Sequence, residues 1–372
     1  MVPVIEPDGR ISEEGGECPL ISVIVPAHNE EEGITQCLES CLAQDWPNLE
    51  VIMVDDRSSD GTYELARALQ AGDERLSVIK IDTLPSGWTG KCHALDVGAL
   101  EAKGEWLAFL DADSVMEGSC VRKCHEMATE RNVGMVTLSP APILKTFWEK
   151  AVQPIFLGMS NILFPLERIN DPDDPIASAN GMFFLISRYA YDSINGHHDV
   201  KDLAVEDIGI GKRVKAKGLG LIFANGRKVL STRMYTGVRQ ALDGWTRILS
   251  ASINYSLPKA IKLFIGHTLA GLPVTLAALA MYIPRAMEIW PNAWMILPIV
   301  LLIQVNVVSY FFYPQLGIPR RYSALLPIGS IMISLVFATI IKRIAAKEPL
   351  MWRGNVYEAS RYEPRNLDPT RE

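Results

Sequence analysis

Two short apolar runs in this chain stop abruptly at carboxylates. Val51-Ile52-Met53-Val54 runs into Asp55-Asp56, and Trp106-Leu107-Ala108-Phe109-Leu110 runs into Asp111-Ala112-Asp113. A short continuous apolar run without helical spacing suits a strand buried on both faces. Acids that follow such a strand lie at its carboxyl end, where open α/β sheets bind ligands. A third acidic pair, Glu206-Asp207, opens a helical segment, and a further apolar run enters the turn Pro26-Ala27-His28-Asn29-Glu30. The pattern constrains the chain to an α/β fold with a mostly parallel, Rossmann-like sheet and flanking helices.

The strand candidates are residues 20–25, 50–54, 76–81, 106–110, 134–137, 179–187 and 220–223, with helical patterns at 31–44, 62–70, 94–102 and 206–216. Strands alternating with helices are the signature of βαβ units. With 372 residues there is room for more than one module. We divide the chain into a flexible acidic leader (1–19), an α/β domain (20–236), an amphipathic interfacial helix (237–260), a membrane region (261–341) and a tail (342–372). Residues 141–170, rich in aromatics and prolines, are expected against a membrane surface. The leader shows neither the basic start nor the apolar core of a secretory signal, so the α/β domain is expected in the cytoplasm.

Net charge is −7, which argues against a nucleic-acid surface. The apolar content of 48% is unevenly spread and gathers after residue 260. Residues 263–283, 293–313 and 322–341 each lack Asp, Glu, Lys and Arg over a length that crosses a hydrocarbon core. Three transmembrane helices are therefore expected, with a soluble helical bundle as the alternative. The Arg320-Arg321 loop suits the cytoplasmic side. Three crossings would put the basic tail, from Lys342-Arg343, on the far side, against the same rule; Pro273 makes the first segment the suspect. Residues 237–260 mix Arg239, Arg247 and Lys259 with Leu242, Trp245, Ile248 and Leu249, which suits a helix in the interface or one facing a core. Cys37/Cys41 and Cys120/Cys124, each four apart on a helix, read as small buried hydrophobes, with a metal site as the alternative.

The acids suggest a metal-assisted sugar-nucleotide site. Asp111-x-Asp113 can offer hard oxygen ligands to Mg2+ or Mn2+ and leave positions for a diphosphate; the alternative is a helix cap or surface turn. Asp55-Asp56 can accept hydrogen bonds from a base or ribose, Asp56 being the choice for the base, while Asp60 reads as a helix cap. Gly87-Trp88-Thr89-Gly90-Lys91 is a glycine-rich loop that can bring a backbone and an ammonium to phosphate. Glu206-Asp207 can take a proton from an acceptor hydroxyl, or simply complement a helix dipole. His197 and His198, in the loop before it, read as plain loop residues, with contact to the acceptor by one of them as the alternative.

With these residues assembled, the chain resembles the family 2 glycosyltransferases, which have a GT-A fold. The resemblance runs from Ser22 to about Trp245. It rests on S-V-I-V-P-A-H-N-E-E, V-D-D-R-S-S-D-G-T, G-K-C-H-A-L, F-L-D-A-D and V-E-D. G-W-T-G-K and the late W-R-G-N-V-Y are similar to the membrane-anchored branch holding ceramide glucosyltransferase-like, hopanoid-associated and carotenoid enzymes. The resemblance implies nucleotide contacts from Pro26, Ala27, Glu30, Asp55, Asp56, Lys91 and Asp111. It implies metal and diphosphate at Asp111 and Asp113, and a base at Asp207. A clean Q-x-x-R-W motif is missing; Arg239, Trp245 and Arg247 stand near its place. With Glu206, His197 and His198 they are the acceptor-side candidates.

The expected activity is inverting, metal-dependent transfer from a nucleotide diphosphate sugar, a UDP-sugar by choice, to a hydroxyl of a membrane lipid at the cytoplasmic face. The expected setting is a multi-pass protein of the cell membrane, with a bilayer and no nucleic acid among its partners. Two alternatives stay open: transfer to a polyprenyl phosphate, and an inactive membrane-anchored scaffold that binds nucleotide sugar.

Overall fold

The computed structural model describes residues 2–7, 18–282, 300, 303, 306–307, 309–348, 350–352 and 355–357. The chain divides into two compact units. The first comprises residues 1–143 and 164–234, the second residues 144–163 and 235–372. The segment 20–236 is thus not continuous in space: the stretch 144–163 belongs to the second unit.

The first unit is built on a seven-stranded sheet. Its strands are β1 (Ile21–Ala27), β2 (Leu49–Asp56), β3 (Leu76–Ile81), β4 (Trp106–Leu110), β6 (Met135–Ser139), β8 (Phe183–Ser187) and β9 (Leu221–Asn225). Their spatial order is β3-β2-β1-β4-β8-β6-β9. Only β8 runs antiparallel to its neighbours in this sheet. Side chains alternate between two cores. Val23, Val51, Met53, Ala108 and Leu110 face one side with α1 (Ile34–Leu42) and α4 (Cys120–Glu130). Ile24, Ile52, Val54, Leu107 and Phe109 face the other with α3 (Gly90–Glu101) and α8 (Glu206–Ala216). Burial on both faces is why these strands read as unbroken apolar runs. Cys37, Cys41, Cys120 and Cys124 lie buried in the first of these cores. A smaller sheet joins β5 (Ser114–Met116), β10 (Leu230–Thr232) and β7 (Ala141–Pro142).

Several boundaries differ from the sequence expectation, each for a local reason. Residues 2–7 are not a free leader. Asn225 donates its N–H to the Pro3 carbonyl at 2.8 Å, Ile5 donates to the Asn225 carbonyl at 2.9 Å, and Ile5 is buried. Two apolar residues, Val4 and Ile5, thereby cover an otherwise open edge at β9. Residues 8–17 lie outside the described residues. The strand expected over 179–187 begins only at Phe183. Asn180 ties its backbone N–H to Thr137 Oγ1 at 2.9 Å and its side-chain amide to the Leu138 carbonyl at 2.9 Å, which replaces ladder pairing. The helix expected over 94–102 starts one turn earlier, because Thr89 Oγ1 accepts from Cys92 N–H at 3.2 Å and caps it.

The second unit is helical: α5 (Phe147–Leu163), α9 (Val238–Ser252), α10 (Leu257–Tyr282) and the helix Leu326–Ala346, with a hairpin of Leu350–Trp352 and Asn355–Tyr357. Trp245 stacks on Phe156 with centroids 4.8 Å apart and planes 8° apart. Gly329 lets the last helix approach α5 closely, since a Cβ there would meet the Ala151 carbonyl oxygen at 2.5 Å. The first apolar stretch, 263–283, lies in α10 up to Tyr282, and most of 293–313 falls outside the described residues. Among the described residues, one helix, Arg320–Ala346, is long and apolar enough to cross a membrane, with a mean hydropathy of 2.3.

Candidate active site

The chain order reverses direction in the sheet between β1 and β4. Strands β3, β2 and β1 step one way; β4 then returns to the far side of β1. Pairing of β1 with β4 ends at Ile24↔Phe109, whereas pairing with β2 continues to Ala27↔Asp55. The strands beyond Ile24 therefore open a crevice on the β4 side. Pro26 stands past the last rung on that side, where a residue without an N–H is tolerated.

The turns after β1 and β2 are tied together. His28 Nδ1 lies 2.6 Å from the Asp56 carbonyl oxygen, and Asn29 donates its N–H to Ser58 Oγ at 3.0 Å. Asn29 Oδ1 accepts from Ser59 N–H at 2.8 Å, and Glu30 N–H donates to Thr62 Oγ1 at 2.8 Å. Asn29 and Arg57 both take left-handed backbone angles, φ 55° and 58°. Asp60 accepts from Thr62 N–H at 3.1 Å but is not the expected cap: Gly61 holds the N-cap position of the helix that begins at Thr62. Asp55 is fully buried and accepts from Ser58 N–H at 3.3 Å; its Oδ1 has no protein partner among the described residues. Asp56 pairs with the guanidinium of Arg57 at 2.8 and 3.2 Å. Gly90 makes room for that carboxylate, because a Cβ there would sit 2.1 Å from Asp56 Oδ2.

Lys91 is the hub of the crevice. It stands in the first turn of α3, not in a loop, where the helix dipole disfavours a cation. Carboxylates outweigh that cost: Nζ is 2.6 Å from Asp111 Oδ1 and 2.8 Å from Glu206 Oε1. Burial alone would lower the lysine pKa; Asp111, Glu206 and Asp207 instead hold it well above the ordinary value. Asp111 follows β4, with its N–H donating to the Met182 carbonyl at 3.2 Å. Asp113 Oδ1 accepts from Thr232 Oγ1 at 3.2 Å. Burial, then the charges of Asp111 and Glu30, raise Asp113 to about 7.

Glu206 and Asp207 open α8, where the dipole favours acids. Asp207 Oδ2 accepts from Gly181 N–H at 2.7 Å and Oδ1 from Ile208 N–H at 2.8 Å. Burial and the neighbouring Glu206 raise it to about 6. A Cβ on Gly181 would come within 3.1 Å of both Asp207 Oδ2 and Lys91 Nζ. Strand ends β2 and β4, helix starts α3 and α8, and the loop before β8 thus converge on one crevice.

A family model described as glycosyl transferase family 2 matches residues 22–194, the span holding β1, β2, β4 and Lys91. That span is a family 2 glycosyltransferase domain. Two relatives are named 4,4'-diaponeurosporenoate glycosyltransferase. The one from Staphylococcus aureus is 27% identical over 258 residues, covering 68% of this chain and 67% of the relative. The one from Staphylococcus haemolyticus is 26% identical over 255 residues, with the same coverage. A mannosyltransferase from Pyrobaculum calidifontis, solved with GDP-mannose and Mn2+, matches with TM-score 0.50 at 19% identity, over 77% of this chain and 87% of that one. The fold of the first unit is GT-A.

In this glycosyltransferase the crevice gathers Asp55, Asp56, Lys91, Asp111, Asp113, Glu206 and Asp207, and Pro26, Ala27 and Glu30 line the β1 end. His197, an acceptor-side candidate, is instead a core residue. It has no exposed surface, its ring packs on Phe109 and Phe184, and its Nδ1 is 2.8 Å from Tyr191 Oη. Burial drives its pKa down to about 3, so the ring is neutral. His198 is exposed beside Trp88. Arg239, Trp245 and Arg247 belong to the second unit, where Trp245 is buried and donates to Gln153 Oε1 at 3.3 Å.

Sequence reasoning missed Gly181 and Arg57. Asn180-Gly181 is a turn dipeptide, and it was the available signal that a strand could not run through that point.

The carboxylates fit a divalent cation. The charges of Asp111 and Glu30 help to raise Asp113 to about 7, and a cation there would remove that repulsion. Among the described residues no three His, Cys, Asp or Glu side chains form a ready-made ligand set. Asp111 and Asp113 would be two ligands of a hard cation, with phosphate oxygens and water to complete its shell.

Proposed function

We propose that the crevice transfers a sugar from a nucleotide diphosphate, a UDP-sugar by preference, to a hydroxyl of a membrane lipid at the cytoplasmic face, with inversion at the anomeric carbon. The observation that carries this reading is Asp207. It is half-buried at the start of a helix, oriented by the Gly181 N–H, and raised to about 6. A carboxylate of that pKa is ionised at neutral pH yet basic enough to take a hydroxyl proton as attack begins. The acceptor oxygen forms its bond to the anomeric carbon, its proton passes to Asp207, and the bond to the diphosphate breaks with its electron pair leaving on the phosphate. A single displacement inverts the centre.

The nucleotide side is Pro26, Ala27, Glu30, Asp55 and Asp56, with Asp56 reading the base. Lys91 supports the diphosphate. Asp111 and Asp113 would hold Mg2+ or Mn2+, which when bound would neutralise charge growing on the leaving diphosphate. The lipid acceptor is supported by the staphylococcal relatives, named for a carotenoid-type acid, and by the apolar Arg320–Ala346 helix. We read the second unit as the part that meets a bilayer.

A second reading has its own support. The relatives' acceptor is named as a carboxylate, and a carboxylate, like a polyprenyl phosphate, is already an anion that needs no base. The two readings separate on Asp207→Asn. Membranes carrying the variant are incubated with radiolabelled UDP-sugar and Mn2+, and lipid-phase label is counted. Loss of transfer supports a hydroxyl acceptor; transfer at the parent rate supports an anionic one.

A further inference from the structure

We propose that Lys150, Arg320 and Arg321 form a headgroup site for an anionic phospholipid on the second unit. The inference rests on reading that unit as membrane-bound and goes beyond it, to the charge of the lipid. The three cations are gathered around two tyrosines. Lys150 Nζ lies 5.6 Å and the Arg321 guanidinium 5.1 Å from the centre of the Tyr322 ring, and Arg320 lies 5.1 Å from that of Tyr310. Lys150 and Arg321 are thereby held within about a Debye length of one another, where like charges still repel.

Among the described residues, none of the three has a carboxylate partner. The neighbouring acid on α5, Glu149, is turned inward. It is buried and accepts the backbone N–H groups of Lys145 and Thr146. Stacking on a ring orients a guanidinium without neutralising it; Arg321 Nη2 donates to Tyr322 Oη at 3.3 Å, and its other N–H groups are left for a phosphate. Arg320 and Arg321 are exposed, and Lys150 is steadied by donating to the Lys145 carbonyl at 2.6 Å.

Position supplies the rest. Arg320 to Tyr322 directly precede the apolar Leu326–Ala346 helix. Phe147 and Trp148, exposed in the first turn of α5, precede Lys150. Aromatic and basic side chains at the end of an apolar helix mark the level of lipid headgroups. Three cations that have no carboxylate partner among the described residues match an anionic headgroup and gain nothing from a neutral one.

The test uses the full chain purified in a neutral detergent. Phosphatidylglycerol or phosphatidylcholine of equal chain length is added, and retained lipid is counted by native mass spectrometry. The anionic lipid is expected to be retained in preference, and Gln at each of the three positions to lower the ratio about fivefold. Equal retention by the parent, or an unchanged ratio in K150Q/R320Q/R321Q, would overturn the proposal. So would displacement of the lipid by inorganic phosphate alone, the mark of a free-anion site. Retention of neither lipid would instead remove the membrane reading beneath it. Circular dichroism checks folding, and if the triple variant does not fold, the three single variants decide.

Discussion

At the scale of single residues the site turns on Lys91, Glu206 and Asp207. One ammonium bridges the acid after β4 to the acid that opens α8, and Asp207 stands beside it. Asp207→Asn is expected to lower transfer by about 10²–10⁴-fold, the range of a general base. The same carboxylate sets the pH dependence. It acts ionised, and burial and Glu206 hold it at about 6, so the rate should fall as pH drops through that value. Glu206→Gln removes the like charge and should move this acid limb to lower pH. An unmoved limb in a pH–rate series would detach Asp207 from it. Asp111 and Asp113 carry a separate expectation. Chelation by EDTA should stop transfer, and Mn2+ or Mg2+ should restore it; activity that survives chelation would exclude a divalent cation there.

At the scale of elements, α3 packs closely on the sheet. A Cβ at Gly98 would lie 2.5 Å from Ile24 Cγ2, a stiff β-branched side chain in the core. Helix propensity favours Gly98→Ala by up to about 1 kcal/mol, but overpacking costs about 1–3 kcal/mol. The second effect should win, and denaturant unfolding should record a net loss of stability. Gly90→Ala acts on the site instead: its Cβ would meet Asp56 Oδ2, so nucleotide affinity should drop. Much of this architecture was legible in the sequence. The core strands are short, apolar and stopped by acids, and that signal is local. What escaped depends on partners distant in the chain. Val4 and Ile5 are ordered by the edge at β9. His197 is buried by Phe109 and Phe184. Residues 144–163 look like part of the α/β domain but pack with the second unit, where Phe156 meets Trp245. Lys91 was recognised as a phosphate-facing residue, but its place on a helix needed the Thr89 cap to be seen.

At the scale of the molecule, a GT-A unit and an apolar helical unit belong to one chain, and the proposed reaction draws on both. On the proposed reaction the donor is water-soluble and the acceptor is held in lipid, so the product should stay in the membrane phase. The most direct test is label transfer by the purified full chain, with radiolabelled UDP-sugar, Mn2+ and a lipid extract from its host. The expected result is label in the lipid phase, released UDP in equal amount, and loss of both with Asp207→Asn. Label confined to free sugar, or lipid labelled equally by the parent and Asp207→Asn, would contradict base-assisted transfer to a lipid hydroxyl.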